Sequence, residues 1–109
     1  MKKPLIDSLR RIGWLHGTAS DADNEDASYY CEQMLDELEG LRARYSENDL
    51  RALLCSGSKV SPHIAKLLAR VGAAVLRAGV NRRRVRRDAT RLMLHEFREE
   101  KKEKATSAG

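Results

Sequence analysis

Long apolar runs are missing from this sequence. None approaches the ~18 residues that span a bilayer, so a transmembrane helix is excluded. Strand signals are equally scarce. No Val/Ile/Tyr alternation persists beyond a few residues, and neither Asn-Gly nor Asp-Gly offers a hairpin turn. Aromatic residues make up 5% of the chain, too few for a platform that stacks successive bases of a single strand. Trp14 and Tyr30 are expected as core anchors instead. The only two cysteines, Cys31 and Cys55, are 24 residues apart and have no Cys-x-x-Cys or His-x-x-x-His beside them. At the start, Met1-Lys2-Lys3-Pro4 is basic, but Leu5-Ile6 runs straight into Asp7, which is not a signal peptide. Free, buried thiols in a reducing cytoplasm follow.

Catalytic signatures are absent too. No glycine-rich phosphate loop, HExxH or Gly-x-Ser-x-Gly occurs, and no nucleophile has a visible base and orienting partner. The expectation is a protein that is not an enzyme, with no catalytic residue, no cofactor and no metal. A zinc site drawing on the cysteines and His16, His63 or His95 is a minor alternative. Asp21, Asp23, Glu25 and Asp26 lack the glycine and terminal Glu offsets of a calcium loop.

What the chain does have is charge, and it is segregated. The 109 residues, enough for one domain, carry a net +5. Residues 1–19 hold +3, residues 20–49 hold −8 and residues 50–109 hold +10. A molecule so divided has a basic half that attracts polyanions, or whose cations pair with its own acidic half.

Apolar spacing places the helices. Pro4 with Leu5, Leu9, Ile12 and Leu15 predicts a helix over 4–16 closed by Gly17. Residues 18–26 (TASDADNED) are expected as a mobile acidic loop. Ala27, Cys31, Met34, Leu38, Leu41 and Tyr45 recur at alternating steps of four and three, a regular seam on a helix over 27–45. That seam suits either the core or a homo-oligomer interface. Gly40 within it suggests close packing or a kink. Ser46 opens a short helix with Leu50, Leu53 and Leu54, ended by Cys55-Ser56-Gly57. Ser61-Pro62 starts a fourth over 62–78, with Gly79 as C-terminal cap. Asn81 opens a fifth to about 102, with Val85, Ala89, Leu92, Met93 and Phe97 facing the core and 103–109 a disordered tail. The fold class is therefore all-α: a helical bundle of four to five helices with a basic C-terminal hairpin.

The most informative stretch lies in that hairpin. Six arginines fall within residues 82–91. At about 100° per residue, Arg83, Arg84, Arg87, Arg91 and Arg98 lie opposite the apolar stripe, flanked by Arg82 and Arg86. Cations in a first helical turn oppose the dipole by about 0.3–1 kcal/mol, and like charges four apart cost about 0.2–0.5 kcal/mol per pair. A phosphate reverses the sign of each term. On the preceding helix Lys66, Arg70 and Arg77 form a second basic stripe, so that the two could border one groove. The competing reading gives these arginines to the acidic face of Glu32, Asp36, Glu37 and Glu39.

The segment AAVLRAGVNRRRVRRDA, ending at Ala89, with Val85 six residues after Gly79, resembles part of a helix-turn-helix. That resemblance implies a second helix entering the major groove, its first residues contacting bases. Val75 and Asp88 depart from the pattern, standing where a small and an apolar residue are usual.

The function expected first is an arginine-rich, DNA- or RNA-binding protein that contacts the phosphate backbone through Arg82, Arg83, Arg84, Arg86, Arg87, Arg91, Arg98, Lys66, Arg70 and Arg77. It would serve as a non-catalytic subunit of a larger nucleoprotein complex, the role helical small subunits play in CRISPR effector complexes. A dimeric helix-turn-helix transcriptional regulator is the alternative. A protein-interaction adaptor docking an acidic partner is a third.

Overall fold

The computed structural model describes residues 3–108. Five helices follow one another: α1 (Lys3–Asp21), α2 (Asn24–Arg42), α3 (Glu47–Leu53), α4 (Pro62–Arg77) and α5 (Arg82–Ala108). A wider π-helical turn, Leu54–Ser58, continues α3, and a single 3-10 turn, Gly79–Asn81, joins α4 to α5. Among the described residues there is no strand. The bundle measures 41 × 33 × 20 Å. Helix α2 lies in its middle, packed against α1, α4 and α5.

The Ser46 and Ser61 caps read from sequence are in place, whereas Asn81, expected to open the fifth helix, lies in the 3-10 turn before it. Ser46 accepts from the Asp49 amide at 3.1 Å and Ser61 from the Ile64 amide at 3.2 Å, with Pro62 opening α4. Asp23 caps α2 by accepting from the Asp26 amide at 3.0 Å, and Glu25 and Asp26 sit in its first turn, where the dipole favours them. Gly79 has φ +56°, a left-handed conformation that admits glycine without strain and turns the chain from α4 into α5.

The seam of α2 is internal as far as Leu41, while Tyr45, expected to end it, lies beyond the helix and is half-buried. Ala27, Cys31, Met34, Leu35, Leu38 and Leu41 are buried against the chain's own helices. The close approach falls on the facing helix instead of Gly40. A Cβ on Gly72 of α4 would stand 3.2 Å from the Leu38 carbonyl oxygen, whereas one on Gly40 would meet nothing. At the far side, the Ser58 hydroxyl donates to the Leu9 carbonyl at 2.7 Å, tying the π turn to α1.

Several boundaries differ from the expectations. Helix α1 runs through Gly17 to Asp21, because Ala19 buries itself one turn beyond Leu15 and extends the apolar stripe. The acidic loop thus shrinks to Ala22-Asp23. The C-terminal residues expected to be disordered from Glu103 continue α5 to Ala108; Gly109 lies outside the described residues. That extension is rich in helix-forming Lys, Glu and Ala, with Lys102 paired to Glu99 and Lys104 to Glu100. Trp14 is 60% exposed, not a core anchor, and Leu92 is 45% exposed on the margin of α5. No described helix is long and apolar enough to cross a membrane.

Candidate nucleic-acid interface

Antiparallel packing of α2 and α5 sorts the arginines. The Arg86 guanidinium, 13% exposed, sits in a fork of carboxylates. Its Nε and Nη2 donate to Glu32 Oε2 at 3.0 and 2.8 Å, Nη2 also donates to the Glu32 carbonyl at 2.9 Å, and Asp36 Oδ1 lies 2.9 Å away. Burial works against the charge of Arg86. Hydrogen bonds and attraction from Glu32 and Asp36 outweigh it and hold the guanidinium protonated above its ordinary range. One turn earlier Arg82 donates to the Glu39 carboxylate, and one turn later the Thr90 hydroxyl donates to Glu32 Oε1 at 3.3 Å. Two of the arginines expected to meet phosphates, Arg82 and Arg86, are thus structural cations that clamp α5 to α2. The fourth acid of that face, Glu37, turns away to Arg11 of α1 at 3.4 Å.

Four arginines remain outside this clamp. Arg83, Arg84, Arg87 and Arg91 are exposed, and among the described residues no carboxylate pairs with them. Arg98 is half-buried and likewise has no ion pair, with Cys31 close enough to feel its charge. Burial and the Glu32 charge push the Cys31 thiol up to about 12, only partly opposed by Arg98. The outer face of α5 therefore carries guanidinium groups without ion pairs, beginning at the positive end of a helix and interrupted by the exposed Asp88.

The cations of α4 have a different setting. Lys66, Arg70 and Arg77 rim a groove of about 460 Å³ between α4 and α5, with Leu67, Val71, Ala74 and Leu92 on its floor and Glu47 of α3 also lining it. His63 of α4 and Glu96 of α5 bridge one end at 2.8 Å. The two basic stripes do not border one groove: the α5 arginines point outward, and the α5 wall of the groove is Leu92 and Glu96. The apolar floor went unread in the sequence. Leu67 and Leu92 sit at the margins of their stripes, and that marginal position is the signal that could have found them.

No family model, curated protein or solved structure matches this chain. The helix-turn-helix resemblance rests on local geometry alone. Gly79 takes the backbone conformation such a turn requires, while Val80 is fully exposed and Asp88 is an exposed acid at a position that the family packs. Among the described residues no group of three or more His, Cys, Asp or Glu side chains is arranged to hold a metal ion.

Proposed function

We propose that the chain binds the phosphate backbone of a nucleic acid through Arg83, Arg84, Arg87 and Arg91 on the outer face of α5, as a non-catalytic, sequence-tolerant component of a larger nucleoprotein assembly. The observation that carries this reading is selective neutralisation. The acidic face of α2 takes up Arg82 and Arg86 and stops there, leaving four arginines without ion pairs among the described residues: Arg83 and Arg84 in the positive first turn of α5, Arg87 and Arg91 in the turns that follow. Such an arrangement raises the energy of the isolated helix, and an anion relieves it.

Four phosphate contacts give a slope of log K against log salt of about −3.6 on duplex and about −2.8 on a single strand. Arg83→Ala with Arg87→Ala should reduce the duplex slope by about 1.8 and weaken random and defined sequences alike. An unchanged slope in the double variant rejects the reading. A second reading, a helix-turn-helix base reader, draws on the left-handed turn at Gly79. It requires the same double variant to lose about 1–3 kcal/mol of discrimination per base contact at one preferred site.

A further inference from the structure

We propose that the groove between α4 and α5 docks an acidic amphipathic helix of a partner protein. Its floor is apolar, formed by Leu67, Val71 and the 45% exposed Leu92. Its rim on α4 is cationic, with Lys66, Arg70 and Arg77 exposed and without ion pairs among the described residues. From Lys66 to Arg77 the rim extends about 16 Å along the helix, three turns of an occupant. A helix laid in such a groove buries apolar residues spaced by three, four and seven and aims flanking carboxylates at the rim.

A nucleic acid does not match this surface. Its phosphates would satisfy the rim, but its hydrated backbone would lie over leucine and valine side chains and gain nothing from them. A second copy does not match it either. The acidic helix of this chain is α2, and the carboxylates along its face, Glu32, Asp36, Glu37 and Glu39, are already engaged by Arg11, Arg82 and Arg86. What remains is a helix from another protein, apolar on one face and acidic at its margins. The proposal is independent of the phosphate reading, because the groove residues and the outer arginines of α5 are different sets.

The test uses fluorescence anisotropy with the full chain and three labelled helical peptides of about 15 residues. The first carries Leu at positions spaced by three and four, with Glu on both flanks; the second replaces Glu with Lys; the third replaces Leu with Ser. The first should bind at least about tenfold more tightly than either control. Leu92→Lys should weaken it about tenfold, and Arg70→Glu with Arg77→Glu should transfer the preference to the Lys peptide. Arg83→Ala with Arg87→Ala should leave it unchanged. Leu92, Arg70 and Arg77 are exposed, and far-UV circular dichroism checks that the variants keep their helices. The peptide comparison on the unaltered chain needs no variant. Equal binding of the three peptides overturns the proposal, as does loss of binding confined to the Arg83/Arg87 variant. Dimerisation in sedimentation that Leu92→Lys abolishes also overturns it, by making a second copy the occupant.

Discussion

Arg86 and Arg87 are neighbours in sequence and opposites in setting. Arg86 turns inward to the Glu32 and Asp36 carboxylates, and Arg87 turns out into solvent, with no ion pair to it among the described residues. The step of about 100° between consecutive helix residues separates them, and the position of α2 on one flank of α5 gives the separation its meaning. On the inner flank charge is structural: removing a partner leaves a desolvated cation. On the outer flank charge opposes the fold slightly and is available for an anion. The same residue type thus has opposite consequences when deleted.

The largest effect is expected where both flanks are lost together. Met34→Asp places an unpaired carboxylate at a fully buried position of the α2 seam, at a cost of about 4 kcal/mol or more. The cooperative melting transition should disappear, and with it the distinction between the two flanks. Retention of that transition would show that α2 does not hold α5 in place.

On the inner flank alone, Glu32→Ala with Asp36→Ala strands the Arg86 guanidinium. These acids are 44% and 62% exposed, so water softens the loss, and about 2 kcal/mol is expected, roughly 10 °C in melting temperature. Adding Arg86→Met should recover much of it, because the stranded cation and not the missing pair sets the cost. No recovery would make the carboxylates themselves the source of stability. On the outer flank, Arg83→Ala with Arg87→Ala should leave melting unchanged or raise stability by about 0.5 kcal/mol, through relief of like-charge repulsion. A clear loss of stability would erase the contrast between the flanks.

Two smaller effects probe the core beneath α5. Burial lowers the pKa of His16 below its ordinary 6.5, against the pull of nearby Glu100 and with the push of Lys104. The unfolded chain therefore takes up a proton first. The stability due to neutral His16 is complete above pH 6.5 and is lost as pH falls through and below that value. His16→Leu should flatten the melting temperature between about pH 7 and pH 5; an unaltered profile would place the dependence elsewhere. Cys31, buried and with its thiol pushed up to about 12, should resist alkylation at neutral pH while half-buried Cys55 reacts. Mass spectrometry after iodoacetamide separates the two sites, and equal labelling would mean that the α2–α5 contact opens readily.

Much of the bundle was legible in the chain because its determinants are local. The buried stripe of α2, the Ser46 and Ser61 caps, Pro62 and the turn at Gly79 each lie within a few residues of what they control. The misreadings share a different cause. The low helix propensity of Gly17 is visible in the sequence and predicts a stop there, whereas the burial of Ala19 that carries α1 past it is not. The size of Trp14 predicts a core position, whereas the ring lies at the surface, edge-on to Tyr30 of α2 with centroids 5.9 Å apart. The ten cations of the candidate site looked alike in sequence, and only packing divided them.

By itself the sequence determined an all-helical chain, the identity of its central apolar seam and a surplus of arginine at the start of the last helix, since helical periodicity, capping and net charge are properties of short segments. Which arginines are paired within the chain, and with which acids, was decided by tertiary structure. Arg82 and Arg86 meet acids 43 and 54 residues away, and an apolar floor appears beside Lys66, Arg70 and Arg77 only when α4 and α5 lie side by side. Helical angle already set Arg86 at the flank of the apolar stripe and Arg87 opposite it, but Coulombic attraction falls with distance in space and not along the chain, so the acids that meet Arg86 appear only once α2 lies beside α5.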